Sequence, residues 1–425
     1  MTPLTSICHV EVPQLMNIRM LWLCLVASSL LGVAGNALAA QSPPLPLAKP
    51  EAVGMSSQRL AQIAVALQSE IDRKTMPGAV VAIARRGKLV YYEAFGKLSD
   101  EAPAPMPKDA IFPLNSMTKP LTAVGALQLV ENAKLMLIEP IGTYLPQLDN
   151  MVVETLNGTE PARRKPTLKD MMRHTAGVTY GSADSSLATT ELSKRYAELT
   201  HKLSAQEFLT KLGSLPLQFQ PGTKWAYGLG LDVTGLAIEA VVKQRLGAYL
   251  QQSIFEPLAM TDTSFVVPAS KAGRLAKPLA LDPTAVPGFD GGGGGAYSTA
   301  ADYLRFAEML RRGGSFDAVR ILGRKTVEYM TSDQLGPEVD VSALRDWPNL
   351  TGGYGFGLSV AVRRAPGVAG IMGSTGDFNW GGSGGTYFWV DPKEELTAVL
   401  MARAESARYH LRQLISTLVY ASLVN

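Results

Sequence analysis

Residues 79–84 (Ala-Val-Val-Ala-Ile-Ala) are apolar at every position, whereas residues 57–73 are apolar only at intervals. In the earlier segment Leu60, Ile63, Ala64, Leu67 and Ile71 recur at helical spacing. That spacing predicts an amphipathic helix, capped by Ser56 or Ser57 and running to about Arg73. The unbroken run predicts a strand covered on both faces and therefore central in its sheet. Arg86-Gly87 supplies a turn, and residues 88–96 return as the second strand of a hairpin. Helical patterns follow at residues 116–134, 167–173, 204–212, 230–246 and 248–254, separated by breakers such as Gly177, Pro216, Pro221-Gly222 and Pro257. The five glycines 291–295 read as a tight turn rather than a linker, because a helix start follows at once. Ser298 or Thr299 can cap that helix, Asp302 lies in its first turn, and Gly313-Gly314 end it. Strand patterns return at 356–362, 386–390 and 395–402, with Asp391-Pro392-Lys393 turning between the last two. An amphipathic helix closes the chain at about 405–423. The sum is an α+β fold with a mostly antiparallel sheet flanked by helices and an inserted, mostly helical region. The expected division is a discontinuous sheet domain, residues 40–112 and 285–425, around a helical domain, residues 113–284.

Composition narrows the function. The chain has 425 residues, 46% hydrophobic and 18% charged, enough for two domains or one elaborate one. Forty basic against 37 acidic residues give a net charge of +3. This balance, with no basic run interleaved with aromatics, predicts no nucleic-acid partner. Residues 1–39 read as a secretory leader: Arg19 precedes an apolar run from Met20, which ends at Ala37-Leu38-Ala39, and cleavage is expected after Ala39. Met16 or Met20 is an alternative start. The run is short for a spanning helix, so no stable membrane anchor is expected after cleavage. The only cysteines, Cys8 and Cys24, precede the cut. A mature chain without cysteine has no disulfide, thiol nucleophile or cysteine metal site, and suits a bacterial periplasm.

The chemistry starts at Ser116-Met117-Thr118-Lys119. Residues three apart share a helix face, so the hydroxyl and the amine are neighbours. A lysine in an apolar helix is poorly solvated and disposed to act as a base, and a serine in a first helical turn has free N–H groups around it. The tetrapeptide alone is also compatible with an ordinary helix start. Competing sets are weak. His174, His201 and His410 form no HExxH-type pair, so no metal is expected. His201 and His410 lie in polar stretches and are expected at the surface. Gly381-Gly382-Ser383-Gly384-Gly385 contains a Gly-x-Ser-x-Gly, but a strand follows it where a nucleophile elbow needs a helix. A proton relay beside the Ser–Lys pair requires one more group, and Tyr227 in Trp225-Ala226-Tyr227-Gly228-Leu229 is a candidate, or else a half-buried core aromatic.

Ser116-x-x-Lys119, Tyr227 and Trp380-Gly381-Gly382-Ser383, in this order and spacing, resemble the three motifs of the serine β-lactamase and penicillin-binding superfamily. The nearest resemblance is to its class C-like branch and the class VIII esterases. Met172-Arg173-His174-Thr175-Ala176-Gly177 and Gly294-Gly295-Ala296-Tyr297-Ser298-Thr299 resemble two further family segments, and the likeness spans residues 50–420. The resemblance implies a β-lactamase/transpeptidase-like fold, an acyl-enzyme on Ser116, and general-base work shared by Lys119 and Tyr227. It implies an oxyanion hole from the backbone N–H groups of Ser116 and Ser383, a structural loop for His174, and no cofactor. Two departures bear on substrate. Trp380-Gly381-Gly382 stands where the β-lactamases have Lys-Thr-Gly, which removes a cation and a hydroxyl that receive a carboxylate. Leu229 stands where an asparagine amide is usual. Trp380, Gly381, Gly382 and Leu229 are therefore expected to shape a site for small to medium apolar esters. A β-lactamase or D-Ala-D-Ala carboxypeptidase, and a non-catalytic penicillin- or muropeptide-binding module, are the alternatives.

Overall fold

The apolar run becomes β1 (Gly78–Arg85), with all eight residues buried. Its alternate side chains serve two cores. Val80, Ala82 and Ala84 face the larger one, and Ala79, Val81 and Ile83 the smaller. Each large side chain buried in this way contributes about 1.5–3 kcal/mol. The structure, a computed structural model, describes residues 44–101, 104–181, 191–277, 279, 282–348, 350 and 352–424. The expected leader and its cleavage site lie outside the described residues. Pro43–Asn425 form one compact unit.

β1 pairs with β2 (Lys88–Gly96) as the expected hairpin. The remaining strands of the sheet are β3 (Tyr354–Phe356), β4 (Ala361–Arg363), β5 (Phe378–Gly381), β6 (Tyr387–Asp391) and β7 (Leu396–Ala402). Their order is β2-β1-β7-β6-β5-β4-β3, with every pairing antiparallel. The smaller core is covered by α1 (Ser57–Leu60), α2 (Gln62–Asp72) and the last helix, residues 408–420, through Leu60, Ile63, Leu67, Leu411, Ile415 and Val419. Ser56 caps α1 by accepting from the Arg59 N–H, as its position predicts.

The other face meets the helices. Between residues 113 and 284 run α3 (Thr118–Glu131), α4 (Leu168–Met172), α5 (Glu191–Ala197), α6 (Ala205–Gly213), α7 (Gly230–Val242) and α8 (Leu246–Leu250). α9 (Ala300–Arg311) packs on β1, β6 and β7 and is capped by Thr299, whose side chain accepts from Asp302 N. α10 (Arg324–Met330), α11 (Ser342–Arg345) and α12 (Arg408–Tyr420) complete the set. No helix among the described residues is long and apolar enough to cross a membrane.

Two segments depart from the expected pattern. Residues 356–362 are not one strand but the ends of β3 and β4. Gly357 N–H closes a turn on the Val360 carbonyl, and Ser359 takes φ +78° there. The helix expected over 230–246 stops at Val242 because Lys243 adopts a left-handed φ of 59° as its C-cap. Arg245 then starts α8.

Candidate active site

α3 begins one residue before Lys119, and Ser116 sits in the 3-10 turn that leads into it, Asn115–Met117. Residues 118–127 are all buried, so Lys119 enters protein on every side and is itself fully buried. Its ammonium donates to Ser116 Oγ at 3.3 Å, to Tyr180 Oη at 2.8 Å and to the Gly293 carbonyl at 2.6 Å. Three acceptors saturate three N–H donors and fix the side chain against the serine. The pairing expected from the Ser-x-x-Lys spacing is present.

The Gly293 carbonyl is itself held in place. Asp232, in the first turn of α7, accepts from Gly293 N–H at 3.0 Å through Oδ1, and the same oxygen bonds His201 Nε2 at 2.9 Å. Burial works against the Asp232 charge. The bond and charge of His201, the Lys119 charge and the Gly293 N–H outweigh it and hold the carboxyl below its ordinary range. Burial likewise pushes His201 down, but Asp232 outweighs it and raises the imidazole. The surface placement expected for His201 is therefore corrected. It lies in a turn between α5 and α6, shows 27% of its side chain, and is anchored by a buried carboxylate. His410 is 54% exposed and bonds Glu70.

Tyr227 packs its ring against Lys119, with Nζ 4.6 Å from the centroid, and against the rings of His174 (4.6 Å), Trp347 (5.0 Å) and Trp380 (5.4 Å). Its hydroxyl is buried and has no hydrogen-bond partner among the described residues. His174 brackets this segment. Its carbonyl accepts from Ala226 N–H at 2.9 Å and its Nδ1 from Gly228 N–H at 3.3 Å. Burial, and then the Lys119 charge, press the His174 imidazole well below its ordinary value, so it is neutral, with Nδ1 as acceptor. His174 thus positions the segment that carries Tyr227, in line with the structural role the resemblance implies.

The hydroxyl that actually meets Lys119 is that of Tyr180, which the sequence reading passed over. Burial, with Asp232 and Tyr227 nearby, pushes its phenol well above the ordinary value. A hint was available, because Tyr180 follows Gly177 by three residues in the loop that carries His174.

The glycine-rich third segment forms the end of β5 and its turn into β6. Ser383 Oγ accepts from Asn115 Nδ2 at 2.6 Å, and Thr386 Oγ1 donates to the Leu114 carbonyl at 3.0 Å. These bonds fasten the hairpin beside Ser116. Ser383 is thus preceded by a strand and followed by one, as the rejection of a nucleophile elbow requires. A cavity of about 560 Å³ opens between these parts. Ser116, Tyr227, Trp380, Gly381 and Ser383 line it, together with Tyr180, His201, Arg403 and Arg412. Leu229 and Gly382, expected to contact substrate, are not on its wall. Leu229 is 2% exposed within the main core at the start of α7, and Gly382 lies against the Leu114 carbonyl and Thr386 with its own carbonyl bonded to Arg412.

The sequence profile of the Beta-lactamase family matches residues 62–416. The chain belongs to the β-lactamase family. Esterase EstB of Burkholderia gladioli is 30% identical over 382 residues, covering 80% of this chain and 90% of that protein. The lovastatin esterase of Penicillium rubens is 30% identical over 374 residues, covering 78% and 90%. Among solved structures, EstCE1, a hydrolase with promiscuous acyltransferase activity, superposes with a TM-score of 0.71 at 24% identity, over 85% of this chain and 99% of that one. A penicillin-binding protein homologue from Caulobacter crescentus superposes with a TM-score of 0.65 at 18% identity, over 87% and 99%. These two likenesses establish the β-lactamase/transpeptidase-like fold.

Proposed function

We propose that the chain is a carboxylesterase acting on small to medium acyl esters through an acyl-enzyme on Ser116. The observation that carries this reading is the Lys119 ammonium, locked by Tyr180 and Gly293 at 3.3 Å from Ser116 Oγ. Once its ammonium has released a proton to solvent, Lys119 takes the serine proton as the oxygen attacks the ester carbonyl. The N–H groups of Ser116 and Ser383 receive the oxyanion, each worth about 2.7–4 kcal/mol. Tyr227, whose hydroxyl is free to turn to a ligand, passes a proton to the departing alcohol and then draws one from water. The cavity wall of Trp380, Trp347, Phe265 and Leu350 suits an apolar acyl or alcohol group. The two relatives named as esterases support the choice of ester over β-lactam. The leader-like N-terminus supports export to a periplasm, which fractionation of cells expressing the full chain checks.

The test is hydrolysis of p-nitrophenyl butyrate beside nitrocefin by purified protein and its Ser116→Ala variant. Ester turnover that vanishes in the variant supports the reading. Nitrocefin turnover of equal efficiency favours a β-lactamase, and labelling of Ser116 without turnover of either favours a binding module.

A further inference from the structure

The Lys-Thr-Gly cation is missing from β5, yet the cavity wall beside that strand is strongly cationic. Arg403 follows the end of β7, and Arg412 lies on α12. Both reach the same glycine-rich hairpin and both line the cavity. A Cβ at Gly381 would stand 2.5 Å from the Arg412 guanidinium carbon, and one at Gly384 would run into Arg403 Nη1. The same Gly384 position lies 3.6 Å from Asn115 Nδ2, which places Arg403 alongside the residue that precedes the serine. The glycines of this hairpin are thus the space that two guanidiniums occupy.

Among the described residues neither guanidinium has a carboxylate partner. Elsewhere the buried Arg363 and Arg85 are paired with carboxylates, Asp377 at 2.5 Å and Glu394 at 3.2 Å, as are the part-buried Arg274 with Asp262 at 2.5 Å and Arg173 with Asp170 at 3.1 Å. Arg305, which has no such pair, spends its guanidinium on the carbonyls of Leu258 and Pro44. Arg412 is 9% exposed and gives one nitrogen to the carbonyls of Gly382 and Thr386, while its Nε has no partner. Its cation also lies over the rings of Tyr387 and Tyr409, at 5.4 and 5.3 Å, with Arg408 and Tyr227 nearby. Arg403 has buried Nε and Nη1 atoms with no hydrogen-bond partner among the described residues. A buried cation left without an acceptor is costly, and a planar guanidinium is shaped to take a carboxylate by two parallel hydrogen bonds. Burial depresses both arginines: Arg412 to about 10, with Tyr387, Tyr409 and Tyr227 opposing and the Arg408 charge adding to the fall, and Arg403 with Glu405 and Tyr297 opposing.

We infer that Arg403 and Arg412 form an anion subsite beside Ser116, and that the preferred ester carries a free carboxylate seated there. The inference rests on the proposed ester hydrolysis and refines its substrate class. The apolar wall around Trp380 takes the body of the substrate, and the two guanidiniums restore, from other elements of the fold, the charge that the β5 motif lacks. Of the acids, Asp282 lines the cavity and Glu405 lies near Arg403 without an ion pair to it; Lys224 and Arg408 line the wall as well, so its cations outnumber its carboxylates.

Two pairs of probes test this. One compares 4-carboxyphenyl butyrate with its amide isostere, 4-carbamoylphenyl butyrate. The other compares p-nitrophenyl hydrogen glutarate with p-nitrophenyl glutaramate. The expected result is a kcat/KM at least about tenfold higher for the carboxylate member of one pair. Arg403→Gln should bring that ratio near unity, and Arg403→Lys should keep part of it. Equal turnover within both pairs, or a preference that survives Arg403→Gln, overturns the inference while leaving the esterase reading intact. Failure to hydrolyse any of the four esters sinks the esterase reading instead. In that case a thermal shift decides the subsite alone. Free glutarate should raise the Tm where glutaramide does not, and the same Tm with both overturns it.

Discussion

Two glycine-rich stretches contribute to the cavity wall, residues 291–295 and 381–385, and they are glycine-rich for opposite electrostatic reasons. Behind the first lies a carboxylate. A Cβ at Gly293 would strike Asp232, one at Gly291 would strike the His201 ring, and one at Gly292 would strike the Leu231 carbonyl. Behind the second lie the guanidiniums of Arg403 and Arg412. The first stretch therefore offers a carbonyl to Lys119 with an acid supporting it, and the second presents N–H groups backed by positive charge. That is the polarity the proposed acyl transfer requires, a base on the acid-backed side and an oxyanion on the cationic side. Glycine here signals close approach of a charged side chain rather than flexibility.

The largest effect expected from dissecting this contrast is at the tyrosines. Tyr180 belongs to the acid-backed side through Lys119, while Tyr227 leans on Trp380. Tyr227→Phe should lower kcat for a p-nitrophenyl ester by roughly 10²–10⁴-fold, the range for loss of a general acid–base group. Tyr180→Phe, which leaves Lys119 two acceptors, should cost about tenfold or less. The reverse ranking would assign the relay to Tyr180.

Substituting the glycines themselves comes next. Gly292→Ala pushes a methyl into backbone, which cannot yield, and should cost about 1–3 kcal/mol by denaturant unfolding. Gly384→Ala meets the far end of an arginine, which can swing away, so its cost should stay below about 1 kcal/mol while Arg403 is displaced. Equal costs at both sites would erase the distinction drawn between them.

The smallest effect is pH-dependent. His201 is raised, so its pairing with Asp232 contributes fully below the ordinary histidine value of 6.5 and is lost as pH rises through the raised value. Asp232 is lowered, so its contribution is present above 3.8 and is lost as pH falls through its depressed value. Thermal stability should therefore decline on the alkaline side by roughly 2–4 °C, about what 1 kcal/mol produces in a large domain. His201→Gln should flatten that limb, and an unchanged limb would remove the pair from the account.

Much of this was legible in the chain. The all-apolar β1 announced a strand with two covered faces, and Ser116, Lys119 and Tyr227 converge as their spacing and family pattern suggested. The Trp380 segment was legible as a site element, but what stands behind it was not. Arg403 and Arg412 reach it from a strand end and a helix some 20–30 positions later, a proximity that only the sheet order creates. His201 and Asp232 were hidden for the same reason, being joined through the fold and not through any local period. Leu229 shows the converse error, since a motif position can fall in the core when the helix it starts turns that side chain inward.

The account stands or falls on Ser116 as the nucleophile. The most direct measurement is the intact mass of the protein after acid quenching during turnover of p-nitrophenyl butyrate, followed by peptide mapping. The account predicts one butyryl group, mapped to Ser116 and absent from the Ser116→Ala protein. A butyryl adduct on another residue, or ester turnover undiminished in Ser116→Ala, would contradict it.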